Sequence, residues 1–118
     1  MVLEELEKEI LALCADDDTE LWLIIKRISK DSYSFTTIPE TDRQKTMTVL
    51  RRLLENNIVN AGFLQGSNFE ILSLSVDETI AYIEAEWDKL GKTPNMGDIC
   101  WFRATPKGEK LAHELDLI

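Results

Sequence analysis

Three kinds of side chain in this sequence have the types to do chemistry. The single histidine, His113, and two cysteines, Cys14 and Cys100, are the candidates for nucleophilic or general-base catalysis. They lie far apart along the chain, and no nucleophile elbow, phosphate loop or Cys-x-x-Cys accompanies them. The run ADDDTE at residues 15–20 is acidic enough to suggest a cation loop. A calcium loop also needs a glycine at its bend and a distal bidentate glutamate at fixed spacing, and neither is in register. These residues therefore predict no catalytic centre, no metal site and no cofactor, and the acidic run is better suited to capping a helix.

What remains is charge and surface. The formal net charge is −9. An anionic surface repels phosphate and attracts basic proteins. Cations concentrate in one place, residues 40–56, where Arg43, Lys45, Arg51 and Arg52 stand against Glu40, Asp42 and Glu55 for a local balance of +1. The rest of the chain holds nine cations and nineteen anions, a balance of −10. On a helix, Lys45, Thr48 and Arg52 share a face, with Gln44 and Arg51 beside it. Arg and Gln are side chains that read base edges, so these five are the candidate DNA contacts. Glu84, Glu86 and Asp88 are the candidate contacts to a basic protein partner. Trp101 joins them because strand alternation sends it to the face opposite Cys100 and Phe102.

The elements that must position these residues follow from periodicity. Val2–Cys14 reads as a helix with the stripe Leu3, Leu6, Ile10 and Leu13. Asp17 or Asp18, with Glu20, is expected to cap a second helix running to about Lys30. The segment SYSFTTIP is β-prone. A third helix spans about Glu40–Asn56 and stops at Asn56-Asn57. The segments IVNAGFL and FEILSL form a hairpin about QGSN. Ser75 and Glu78 make a capping box for a helix over Val76–Leu90, which Gly91 ends. That helix carries the stripe Val76, Ile80, Ile83, Trp87 and Leu90 and is expected to cover one face of the sheet. ICWFRA is a strand. Thr105 caps a last helix with Pro106 at its first position, with Leu111, Leu115 and Ile118 as its stripe.

Two stretches resemble the winged helix-turn-helix regulators of the MarR-like and PadR-like kind. One is Leu53, Leu54, Glu55, Asn56, Asn57, Ile58, Val59, the passage from a recognition helix into a strand. The other is Thr105 to Gly108, the Thr-x-x-Gly turn after the closing wing strand. The resemblance spans about residues 19–118. It implies an α+β, winged-helix-like fold with a small antiparallel sheet and about five helices. It also implies DNA binding by the third helix and a homodimer through the terminal helices. The chain departs from the pattern at TTIPETDR, which disfavours the short helix expected there, and by a whole helix inserted in the wing.

A hydrophobic fraction of 44% supports one packed core, so residues 1–118 read as a single domain: an N-terminal helix over 1–14 and a core with an elaborated wing over 19–118. No run of about 18 apolar residues exists to cross a membrane. The opening MVLEELEKEI reads as a charged helix rather than a signal peptide, and the two thiols in apolar segments suggest a reducing, cytoplasmic setting. The expectation is a non-enzymatic module that recognises a basic protein, of the immunity or antitoxin type, with DNA-binding regulation as the alternative.

Overall fold

The structure is a computed structural model that describes residues 2–118. Its elements are α1 (Glu5–Asp16), β1 (Thr19–Glu20), α2 (Leu21–Ser29), α3 (Glu40–Glu55), β2 (Val59–Gln65), β3 (Asn68–Ile71), α4 (Val76–Leu90), β4 (Trp101–Ala104) and α5 (Pro106–Glu114). The strands form one antiparallel sheet in the order β1-β4-β2-β3. This α+β arrangement is consistent with a winged helix in which α4 interrupts the wing between β3 and β4.

Where local chemistry is unambiguous, the elements form where the sequence puts them. The Ser75 hydroxyl accepts from Glu78 N, the Glu78 carboxylate accepts from Ser75 N, and Gly91 ends α4 in the left-handed region. Asn57 sits at φ 57° and turns the chain out of α3. The hairpin turns at Gly66, φ 61°.

The two motifs behind the resemblance meet in space. Thr105 N donates to the Ile58 carbonyl at 2.9 Å, and the Thr105 hydroxyl donates to the Asn57 carbonyl at 2.6 Å. The same hydroxyl accepts from Gly108 N at 2.9 Å and so caps α5. A Cβ on Gly108 would stand 2.1 Å from the Ile58 carbonyl oxygen. Only glycine lets α5 dock this closely on the start of β2.

That close docking corrects the expected stripe of α5. Gly108 and Ala112 are its buried residues, while Leu115 and Ile118 are 39% and 47% exposed and Leu111 is half-buried. On α1 the buried face is also rotated: Glu7, Ile10, Leu11 and Cys14 point inward, and Leu6 and Leu13 are only half-buried. The two terminal helices pack against each other within the one chain.

Two further expectations fail because strand pairing, present in one case and absent in the other, decides over propensity. Residues 17–20 do not start a helix. Thr19 and Glu20 pair with Phe102 and Trp101 of β4, which holds them extended, so α2 begins at Leu21 without a side-chain cap. The segment 33–39 forms no strand. A 3-10 turn at Lys30–Ser32 leads into it, Pro39 closes it, and its ties are local or single: Ser34 to Thr36, and Thr93 N donating to the Thr36 carbonyl.

Helix α4 buries Ile80, Ile83 and Trp87 as its stripe requires, together with Thr79. It packs beside α3 rather than lying across the sheet. It reaches the sheet through Tyr82, whose ring meets the edge of Phe63 on β2 with centroids 6.5 Å apart.

Candidate functional site

The face of α3 singled out for DNA is fenced by carboxylates from both neighbouring helices. Arg51 donates to Asp77 of α4 at 2.6 Å and to Glu55 one turn on at 3.4 Å. Arg52 forms an ion pair with Glu7 of α1 through Nε, and its terminal Nη2 donates to the Val2 carbonyl at 3.1 Å. Glu7 is only 1% exposed, and its second oxygen accepts from Glu4 N at the start of α1. Arg43 donates to Glu84 at 2.7 Å and Asp88 at 2.9 Å, and its guanidinium lies 4.6 Å from the centroid of the Trp87 ring. Among the described residues, Lys45 is the one cation of α3 without an ion pair. Gln44, Lys45 and Thr48 remain exposed beside it.

The same pairings change the status of the acidic candidates on α4. Glu84 and Asp88 are held by Arg43, and Glu86 pairs with Lys89 at 2.9 Å. These three do not form a free anionic surface. Glu84 and Asp88 close a seam between α3 and α4, whereas the Glu86 pair lies within α4.

Trp101 stands where alternation predicts. Phe102 and Ala104 of β4 point into the core, and Trp101 and Arg103 point the other way. The register sets Glu20, Trp101, Gly62 and Ile71 in one row across all four strands. Asn60 pairs with Arg103, and Leu64 with Phe69, on the same side. A Cβ on Gly62 would meet the Phe69 ring at 2.7 Å and the Glu70 carbonyl at 2.3 Å. The missing side chain is what lets the Phe69 ring lean over β2, where the Arg103 guanidinium lies 4.6 Å from its centroid. Asp18 of the acidic run then holds Arg103 through two bonds of 2.7 and 2.8 Å. Every side chain on this face is half-buried or exposed. The loop over 95–98 flanks it, with Gly97 N donating to Glu20 and Met96 72% exposed. Arg103, Phe69 and Met96 were not singled out from sequence. Period-two alternation from Trp101 reaches Arg103, and a glycine inside a strand pattern signals close approach across the sheet; Phe69 needs the hairpin register.

The remaining chemistry-bearing residues are dispersed. His113 is exposed on α5. Burial pushes the Cys14 and Cys100 thiols up to about 12, so both stay protonated at neutral pH. Three of the four acids of residues 15–20 are committed singly: Asp17 ends α1, Asp18 holds Arg103 and Glu20 holds the 95–98 loop, while Asp16 is exposed on the last turn of α1. No helix among the described residues is long and apolar enough to cross a membrane. Compared with known proteins, the chain matches no family model, no curated protein and no solved structure.

Proposed function

We propose that this chain is a non-enzymatic, winged-helix-type module that recognises a basic protein partner, in the manner of immunity or antitoxin proteins, and does so through the outer face of its sheet. The observation that carries the reading is the open row around Trp101. Tryptophan, arginine and phenylalanine side chains gather there on rigid strands, and residues of these types dominate binding energy at protein interfaces. Arg103 is positioned in advance by Asp18 and Phe69, which lowers the ordering cost of binding. The net charge of −9 supplies attraction for a cationic partner. Cofactors and metals have no part in this role.

DNA regulation is the second reading, favoured by the strand order and the α2–α3 pair. Its electrostatics are poor, because the arginines of α3 already face carboxylates and cannot release counterions from phosphate without breaking those pairs.

The test isolates the partner from the source cells, identifies it by mass spectrometry, and measures its affinity for purified variants. Trp101→Ala is expected to weaken binding by about thirtyfold or more, the range of an interface hot spot. Lys45→Glu is expected to leave it unchanged. Duplex DNA at about 150 mM salt should give no retained complex at micromolar protein. Loss of DNA binding in Lys45→Glu, with partner affinity indifferent to Trp101→Ala, reverses the order of the two readings.

A further inference from the structure

Strand β3 stands at one end of the order β1-β4-β2-β3 and pairs with β2 alone. Its register fixes which backbone groups are left free. Leu72 N donates to the Ala61 carbonyl at 2.9 Å, directly beyond the pair Gly62 and Ile71. Hydrogen-bonded and non-hydrogen-bonded pairs alternate along an antiparallel ladder. Glu70 and Asn68 therefore turn their backbone groups to Phe63 and Gln65 of β2, while the N–H and C=O groups of Phe69 and Ile71 point out of the sheet edge. Asn68, Glu70 and Ile71 are exposed, Ile71 at 53%. No bulge, proline or lysine guards this edge, as one often does in natural sheets. The opposite edge is closed: Thr19 and Glu20 of β1 run straight into α2, and Glu20 accepts from Gly97 N of the 95–98 loop. On β3 the side chains divide by face. Phe69 and Ile71 lie on the side of Trp101, and Asn68 and Glu70 on the other. Among the described residues Glu70 forms no ion pair.

From this we infer that β3 takes a further strand: an extended segment of the basic partner, in which apolar side chains alternate with Lys or Arg. The inference rests on the protein-binding role given above and names the form in which the partner arrives. The row of free N–H and C=O groups is matched by another extended backbone, which supplies main-chain hydrogen bonds while its alternate side chains supply specificity. Residues of the added strand opposite Phe69 and Ile71 share their face, so apolar side chains there extend the row that runs through Gly62 to Trp101. The residue between them stands opposite Glu70, where a cation is favoured and an anion repelled. The same carboxylate disfavours a second copy of the chain. In the antiparallel register that uses the free groups of both Phe69 and Ile71, Glu70 of one copy would face Glu70 of the other. Nucleic acid offers no such backbone and is repelled by a net charge of −9.

Amide hydrogen exchange followed by NMR on the full chain provides the test. The probe is the peptide Lys-Val-Lys-Val-Lys-Val-Lys, and Glu-Val-Glu-Val-Glu-Val-Glu is its control, each at about 1 mM. The basic peptide is expected to slow exchange of the Phe69 and Ile71 amides by about threefold or more, and the acidic one to leave them unchanged. Glu70→Lys is expected to reverse that preference. Ile71→Pro deletes one outward N–H at an edge position where proline is tolerated, and it should abolish the slowing at Phe69. Ile71→Thr keeps the N–H and should retain it. If Ile71→Pro disturbs the hairpin, the two peptides on wild type and on Glu70→Lys still decide the matter. Slowing by neither peptide, equal slowing by both, or protection confined to residues away from β3 overturns the inference. The role of the sheet face fails on a different result, a partner affinity indifferent to Trp101→Ala, so the two failures are distinguishable.

Discussion

Helix α3 and the junction of α2 with the 3-10 turn after it both carry clustered cations, and the two clusters end in opposite situations. On α3, Arg43, Arg51 and Arg52 each meet a carboxylate from a neighbouring helix. At the end of α2, Lys26 and Arg27, with Lys30 of the 3-10 turn that follows, form no ion pair among the described residues; Lys26 lies over the Trp22 ring at 5.8 Å. The difference comes from neighbours. Helix α3 is flanked by α1 and α4, both rich in Glu and Asp. The end of α2 borders a shallow pocket lined by Leu13 and Leu23 and by no carboxylate. A count of charges along the chain finds the first cluster and rates it basic. The folded chain neutralises that cluster and leaves the second one free.

Substitutions should separate the two regions, beginning with the seam that neutralises α3. Trp87 is 5% exposed and carries Arg43 on its ring, so Trp87→Ala should cost about 3–5 kcal/mol in urea unfolding. Loss of the seam should also free Arg43. A variant that unfolds where wild type does would show that α4 adds little to the core.

Arg52→Ala comes next. It strips the partner from a carboxylate that is 1% exposed. Breaking a fully buried pair costs about 3–5 kcal/mol. The Arg52 side chain is 45% exposed, which lowers the expected loss to about 2–3 kcal/mol. Adding Glu7→Gln should return part of that loss, and a double-mutant cycle measures the coupling. Additive single effects would mean the pair contributes no coupling of its own.

The cap of α4 is a smaller, local effect. Ser75→Ala should cost about 1 kcal/mol in thermal unfolding. The backbone N–H and the hydroxyl of Ser75 hold the Glu78 carboxyl below its ordinary range. Its contribution is therefore full above the unfolded-state pKa and is lost as pH falls through the lower folded-state value. Glu78→Gln should flatten the acid limb of the stability profile in that window, and an unchanged limb would remove this cap from the acid response.

The smallest effect belongs to the free cluster. Lys26→Ala and Lys30→Ala should each change folding stability by no more than about 0.5 kcal/mol, against the much larger loss for Arg52→Ala. A comparable loss from either lysine would erase the contrast between the two regions.

The hairpin about Gly66, the capping box of α4, the left-handed exit at Asn57 and the Thr105–Pro106 start of α5 were all legible in the sequence. Each is decided by a few adjacent residues through backbone strain or a local hydrogen bond. Trp101 was legible as an outward residue because alternation along a strand is geometric. The extended course of residues 19–20, the coil over 33–39 and the burial of Glu7 were not. Pairing with β4, the lack of a ladder partner, and an arginine arriving from another helix decided those. The same holds for the candidate surfaces. The residues of Glu84, Asp88, Arg51 and Arg52 were visible as charges, but whether a charge faces solvent depends on what packs beside it. Sequence sets where cations and anions lie along the chain. Coulomb attraction acts over a few ångströms in space, so only the packing of α1, α3 and α4 determined which charges cancel, and only the sheet register carried the Phe69 ring across Gly62 to Arg103.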